Sequence, residues 1–279
     1  MIPVDRLYFG YGSNLDAQDL TRWCARHGFQ DGFLTAVRPA WLPDRKLAFD
    51  HRSDRRRGGT LNVPEAVGCA VPGVLFQVTG AGWEVLDEKE GYSTGTHYVP
   101  IDCVAIDLDG DEVQVVTYVS ARPDPPMPPA KGYFEVVARG YRAHGLPLEF
   151  LRAAADDEVH PVDQLFVYGS LKEGRWLSGE LAGFRLETCT AQIAGDLYDL
   201  GEYPGYRSGD GVVHGERCRV RDVAGALAHL DAIEGFEGYG DPANLFRRVL
   251  VETGPDGVLA WAYRWVARGE AALVPGGVW

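Results

Sequence analysis

At 279 residues the chain has room for roughly two domains, each long enough to bury a core of its own. Its 46% hydrophobic and 24% charged content is that of a globular protein, and a net charge of -13 with a pI near 5.0 argues against nucleic acid or an anionic membrane as partner. No apolar run approaches the roughly 18 residues of a spanning helix, and the opening Met1-Ile2-Pro3-Val4-Asp5-Arg6 lacks the charged-then-apolar layout of a secretory signal. The expectation is a cytoplasmic protein with a small-molecule ligand.

Residues 5 to 9 read as a short buried strand running into the turn Gly10-Tyr11-Gly12-Ser13-Asn14. Leu15 to His27 has helical spacing and stops at Gly28. The run Arg52-Ser53-Asp54-Arg55-Arg56-Arg57-Gly58-Gly59 is the one basic cluster, and taken alone it reads as a solvated loop rather than a substrate-carboxylate site. Val67 to Val78, Tyr98 to Asp107 and Glu112 to Val119 read as strands. Trp83 to Glu90 reads as a short helix closed by Gly91. The proline-rich stretch Arg122 to Pro129 is followed by two more helical patterns, Phe134 to His144 and Leu148 to Ala155, so it belongs inside the first domain as a loop. The domain boundary is expected near Asp156 to Asp163, giving domains of 1–160 and 161–279. In the second, Gly195 to Leu200, Val213 to Val220, Phe246 to Glu252 and Val258 to Val266 read as strands, and Val223 to Glu234 as a helix.

The two domains repeat one another. Tyr8-Phe9-Gly10-Tyr11-Gly12-Ser13-Asn14-Leu15 returns as Leu165-Phe166-Val167-Tyr168-Gly169-Ser170-Leu171, and Leu86-Asp87-Glu88-Lys89-Glu90-Gly91 returns as Leu230-Asp231-Ala232-Ile233-Glu234-Gly235. Tyr11 and Tyr168 are 157 positions apart, a domain length rather than a solenoid period. A strand ending in Tyr-Gly-Ser exposes backbone N–H groups that can hold a carboxylate or a polarised carbonyl oxygen. Read singly it is an ordinary glycine turn; read twice, at the end of each domain's first strand, it points to a site. Glu90 and Glu234 each fall in the last turn of a helix, where the macrodipole disfavours negative charge by up to about 1 kcal/mol. An exposed helix-end acid is the bland alternative, but a local rule broken in both copies points to function.

Five scattered cysteines without a Cys-x-x-Cys pair, and seven dispersed histidines, give no metal-ligand spacing and fit reduced thiols. No metal and no cofactor are expected.

On these motifs the chain resembles two tandem members of the gamma-glutamylcyclotransferase-like family. The first domain adds Tyr118 and His144-Gly145-Leu146-Pro147-Leu148-Glu149-Phe150 to the resemblance. The second resembles the shorter gamma-glutamylamine and avirulence-induced type through Val167 to Gly174, Leu197 to Gly205, Glu234-Gly235 and Pro275 to Trp279. The resemblance implies a mixed α/β fold with two tandem small β-barrel domains and flanking helices, and a role in glutathione metabolism. It implies Glu90 and Glu234 as catalytic acid/bases. It further implies substrate binding by Tyr8, Phe9, Gly10, Tyr11, Gly12, Ser13, Asn14, Leu15, Tyr98 and Tyr118 in the first domain, and by Tyr168, Gly169, Ser170 and Leu171 in the second. The implied reaction is metal-free cyclisation of a gamma-glutamyl compound to 5-oxoproline with release of an amine. Family members of the second type carry Tyr in a Tyr-x-Arg stretch where this chain has Phe246-Arg247-Arg248, which points to the first domain, with Tyr98, as the principal site. Intramolecular pairing of the two domains is also expected. Two other readings stay open: removal of a gamma-glutamyl protecting group from a biosynthetic intermediate, and ligand binding without catalysis.

Overall fold

The computed structural model describes residues 6–54, 56–92, 95 and 97–279. The segment before Arg6, including the first residue of the strand read over 5–9, and Arg55 of the basic cluster lie outside the described residues. The chain forms two compact units, one running to Asp107 and again over Glu112–His160, the other made of Leu108–Asp111 and Pro161–Trp279.

The first unit runs in the order β1 (Leu7–Gly10), α1 (Ala17–His27), β2 (Leu34–Arg45), β3 (Ala48–Ser53), β4 (Gly58–Asn62), β5 (Glu65–Val78), α2 (Gly82–Glu90), β6 (Tyr98–Asp107), β7 (Glu112–Ser120), α3 (Lys131–Ala143) and α4 (Leu148–Ala155). Strands β1-β5-β2-β6-β7 form a closed barrel, sealed by a parallel β1–β7 pair among otherwise antiparallel neighbours. Closure lets the apolar side chains Phe9, Val71, Leu75, Ile106 and Val115 leave water almost completely. Helix α1 starts where Asp16 accepts the Asp19 N–H at 3.0 Å and stops at Gly28, φ 76°. The 122–129 stretch is a loop of this unit, tied to the hairpin β3–β4 by bonds from Met127 N–H to the Phe49 carbonyl (3.0 Å) and from Gly59 N–H to the Pro128 carbonyl (3.1 Å).

The sequence shows no strand over β2 because Pro39 and Pro43 interrupt it; the strand absorbs them with register shifts at Ala36/Arg38 and Pro43/Arg45. The hairpin β3–β4 overturns the reading of the basic run as a loop. Arg52 and Ser53 end one strand, Gly58 and Gly59 begin the next, and Arg56 at the tip is half-buried.

The second unit runs β8 (Gln164–Val167), β9 (Arg185–Asp199), β10 (Pro204–Val220), α5 (Val223–Glu234), β11 (Phe246–Thr253), β12 (Val258–Trp265) and β13 (Ala272–Leu273). Its sheet, β11-β12-β8-β10-β9-β13, repeats the barrel order but stays a curled half-barrel. Where β2 and β6 close the first barrel, the second has a single bridge, Gln192↔Gly254, among the described residues. Strands β9 and β10 are far longer than the predicted Gly195–Leu200 and Val213–Val220, because the added part of β9 is mostly polar and exposed and that of β10 has only the short buried run Pro204-Gly205-Tyr206 before exposed Ser208 to Asp210. The core gathers Phe166, Tyr168, Ile193, Leu197, Tyr206, Val213 and Val249. One glycine recurs in each unit for the same steric reason: a Cβ on Gly73 would lie 2.4 Å from the Phe9 ring, and one on Gly215 would lie 2.7 Å from the Phe166 ring. No helix among the described residues is long and apolar enough to cross a membrane.

Candidate active site

In the first unit β1 ends at Gly10, and the chain turns through Tyr11 and Gly12 into a 3-10 turn over Ser13–Leu15, closed by the Leu15 N–H on the Gly12 carbonyl at 3.1 Å. The turn presents Asn14, whose amide Nδ2 donates to the Tyr8 hydroxyl at 2.8 Å and to Glu90 Oε1 at 2.9 Å. Asn14 is buried, and its Oδ1 has no hydrogen-bond partner. Glu90 is the last residue of α2, because Gly91 in the left-handed conformation (φ 74°) ends the helix there.

Two further bonds fix that helix end against the barrel. Tyr118 on β7 donates its hydroxyl to Asp87 Oδ1 at 2.7 Å, and Tyr11 donates to the Tyr118 carbonyl at 2.6 Å. Asp87 lies three residues before Glu90, one turn back on the same face. Burial, reinforced by the nearby Glu90 charge, holds the hydroxyls of Tyr8, Tyr11, Tyr98, Tyr118 and Tyr133 well above the ordinary phenol range, so all are neutral donors.

The hairpin β3–β4 supplies the far wall. Tyr98 donates to the Leu61 carbonyl at 2.7 Å, and its hydroxyl lies 3.1 Å from Thr60 Oγ1. Burial, then His97, lowers the pKa of His51, whose Nδ1 lies 2.9 Å from Ser120 Oγ. Arg56 pairs with Asp19 at 2.8 Å and sits over the Tyr133 ring, and Lys89 donates to Ser13 Oγ at 3.4 Å. Together these groups enclose a cavity of about 490 Å³.

The second unit rebuilds the frame. Tyr168 donates to the Tyr263 carbonyl at 2.7 Å, Tyr263 donates to Asp231 Oδ1 at 2.6 Å, and Glu234 ends α5 beside left-handed Gly235. Its cavity is smaller, about 260 Å³. One exchange alters the electrostatics: the position of Asn14 is held by Leu171. Without an amide donor, burial alone pushes the Glu234 carboxyl up to about 7.

The sequence-predicted residues divide cleanly. Tyr8, Tyr11, Gly12, Ser13, Asn14, Glu90, Tyr98 and Tyr118 line the first cavity, and Tyr168, Gly169, Ser170, Leu171 and Glu234 line the second. Phe9, Gly10 and Leu15 do not: Phe9 is fully buried in the core, Gly10 is paired with Val74 inside the sheet, and Leu15 packs under Gly140 of α3. The hydroxyl of Tyr98 is committed to the hairpin, an element the second unit lacks between β9 and β10. Phe246 begins β11 as Tyr98 begins β6, and its ring lies 6.1 Å from that of Tyr203. Sequence reasoning missed His51, Arg56, Tyr133 and Tyr263. Strand register identifies Tyr263 as the counterpart of Tyr118: on β12 it pairs with Arg248, the third residue of β11, as Tyr118 on β7 pairs with Pro100, the third residue of β6. Among the described residues no three His, Cys, Asp or Glu side chains cluster as a metal ion would require.

Family models match both halves: "Gamma-glutamyl cyclotransferase, AIG2-like" over 165–279 and "AIG2-like family" over 70–153. The chain is 32% identical to gamma-glutamylcyclotransferase of Bos taurus over 148 residues, 52% of this chain and 74% of the relative. The chain belongs to the gamma-glutamylcyclotransferase family. It is also 36% identical over 102 residues to the gamma-L-glutamyl-butirosin B gamma-glutamyl cyclotransferase of Niallia circulans, 36% of this chain and 64% of that one. A solved gamma-glutamyl cyclotransferase structure, 26% identical, aligns with a TM-score of 0.47 over 56% of this chain and 88% of its own. Gamma-glutamylcyclotransferase homology thus falls on a chain with two barrel-like units, each with a glutamate closing a helix beside a Tyr-Gly-Ser turn.

Proposed function

We propose that both units convert gamma-glutamyl compounds to 5-oxoproline and a free amine, with Glu90 and Glu234 as the proton-transfer groups. The observation that carries this reading in the first unit is the 2.9 Å bond from Asn14 to Glu90, which joins the two duplicated elements into one site; in the second unit the Tyr168-Gly169-Ser170 turn and Glu234 line one cavity. The substrate brings its own nucleophile. Its α-amine nitrogen bonds to the γ-carbonyl carbon, closing a five-membered ring, and the γ-amide C–N bond breaks. The carboxylate takes a proton from the α-ammonium and returns it to the departing nitrogen, and the second proton shed by the α-nitrogen as it becomes the lactam N–H leaves on the released amine as an ammonium, so no water or redox partner is consumed. Intramolecular attack of this kind reaches effective molarities of about 10⁵ M or more, which leaves the protein the tasks of positioning and proton transfer.

The geometry supports each role. The Asn14 amide fixes one oxygen of Glu90, and the unpartnered Asn14 Oδ1 beside it can accept from the substrate ammonium. The backbone N–H groups of the Gly12-Ser13 turn are the donors for the oxyanion that develops at the γ-carbonyl. Removal of a gamma-glutamyl protecting group is the same chemistry on a larger acceptor, and its support is the butirosin-directed relative. Simple ligand binding gives no reason for a glutamate at both helix ends. Screening gamma-glutamyl amino acids, peptides and amines for 5-oxoproline release tests the proposal; release from at least one class is expected, and no release from any would refute it.

A further inference from the structure

A buried cation in the second unit meets the last turn of α5 without lining the cavity there. Arg248, the third residue of β11, is 3% exposed and sits against the rings of Phe236 (5.2 Å), Trp261 (5.3 Å) and Tyr239 (5.4 Å). Its Nε donates to the Tyr239 hydroxyl at 3.1 Å, and its Nη1 meets Asp231 Oδ2 at 3.3 Å. The other oxygen of that carboxylate, Oδ1, accepts from Tyr263 at 2.6 Å. Asp231 is thus held from both β11 and β12. It lies three residues before Glu234, one turn back on the same face of α5.

The matched position of the first unit carries no cation. Strand register puts Pro100 where the second unit has Arg248, and a proline side chain offers no donor. There Tyr118 holds Asp87 Oδ1, and the glutamate itself is fixed by the Asn14 amide. The second unit has exchanged both positions, with Leu171 for Asn14 and Arg248 for Pro100. A buried ion pair adds little net stability over apolar side chains of the same size, so its presence here calls for a geometric reason.

Resting on the cyclisation reading above, we propose that Arg248 is the positioning residue of the second site: through Asp231 it sets the end of α5 so that Glu234 faces the cavity, the task the Asn14 amide performs in the first. The rings and the Tyr239 hydroxyl fix the guanidinium, and the guanidinium and Tyr263 fix both oxygens of Asp231. The helix backbone carries that placement one turn onward to Glu234. Only a planar, forked cation reaches a hydroxyl and a carboxylate at once while lying against aromatic faces. Arg248 touches no reacting atom, but a misplacement of about 1 Å at a proton-transfer group costs up to about 10²-fold in rate.

The test uses the full chain carrying Glu90→Gln, so that turnover reports the second site. Adding Arg248→Met, which fills the aromatic cage without a charge, should lower kcat for 5-oxoproline release by about 10- to 100-fold and change KM little. Arg248→Lys keeps a cation beside Asp231 and should recover part of that loss. Leu171→Asn added to Arg248→Met should also recover kcat, by giving the glutamate an amide donor; a merely structural residue would not be rescued from the turn. Carbon-13 titration of the Glu234 carboxyl reads its placement without turnover. In Arg248→Met it should fall from near 7 toward the ordinary 4.5 as the carboxyl reaches water, whereas loss of a cation by itself would raise it. An unchanged kcat in a folded Arg248→Met protein, or a Glu234 titration that stays or rises, would overturn the proposal. A lost kcat that tracks a lowered thermal midpoint and ignores Leu171→Asn would overturn it too, by making Arg248 structural only. Should the Glu90→Gln protein release no 5-oxoproline from any gamma-glutamyl compound, the cyclisation reading of the second site fails, and the carboxyl titration still decides the role of Arg248.

Discussion

Replacing Leu171 with asparagine tests whether one side chain sets the charge state of the second site. In the first unit the Asn14 amide donates to Glu90 at 2.9 Å; in the second the matched Leu171 donates nothing, and the Glu234 carboxyl is pushed up to about 7 by burial. A hydrogen bond to a charged group stabilises it by about 1.5 to 3 kcal/mol. At 1.36 kcal/mol per pH unit, Leu171→Asn should therefore lower the Glu234 pKa by roughly one to two units. Carbon-13 titration of the labelled glutamate carboxyls, with the Glu234 signal assigned by its loss in Glu234→Gln, reads the shift directly and does not depend on turnover. The pH profile of 5-oxoproline release in a Glu90→Gln background should follow, its acid limb moving from near 7 toward more acidic pH. An unmoved Glu234 titration in a folded Leu171→Asn protein would refute the assignment of the raised pKa to the missing amide donor.

Four other substitutions follow from the same geometry. Because the folded-state carboxyl of Glu234 titrates near 7 against 4.5 for an ordinary glutamate, the folded protein holds the extra proton between those values and stability falls as pH rises across that window. Glu234→Gln should then stabilise the protein above pH 7 by about 1 to 3 kcal/mol and leave it unchanged below pH 4, as read by urea unfolding; equal gains at both pH values would contradict this. Gly12→Val would put a branched side chain into the turn, its Cβ about 3.2 Å from the Tyr133 hydroxyl, and should abolish substrate binding while Ser13→Ala changes it little; normal affinity by calorimetry would argue against close backbone contact at the turn. Tyr118→Phe removes the 2.7 Å bond to Asp87 that steadies the end of α2, and should lower the thermal midpoint and reduce kcat more than it raises KM; an unchanged kcat would deny Tyr118 a positioning role.

Local chemistry is what made parts of this protein readable from its residues. Helices ending at Gly28, Gly91 and Gly235 announce themselves because only a left-handed glycine stops them so abruptly, and strands β6 and β7 are dense in β-branched and aromatic side chains. The duplicated Tyr-Gly-Ser turn and helix-end glutamate drew attention to both cavities. Non-local pairing hid the rest. Strand β2 is held by its neighbours in spite of two prolines, and the polar halves of β9 and β10 exist because each pairs with the other. Arg56 and His51 enter the first cavity only because β3 and β4 fold into a hairpin over it, which no periodicity in the basic run could reveal. The substitution of Leu171 for Asn14 was visible in the repeat all along, but its meaning depends on the 2.9 Å bond that the structure supplies.

Catalysis by the two helix-end glutamates is tested most directly by 5-oxoproline release from the double variant Glu90→Gln/Glu234→Gln, compared with wild type on a gamma-glutamyl substrate that wild type turns over. Glutamine keeps the shape of each side chain and removes its proton-accepting charge, so the double variant should fold normally and turn over roughly 10² to 10⁴ times more slowly. A double variant that releases 5-oxoproline at the wild-type rate would contradict the account.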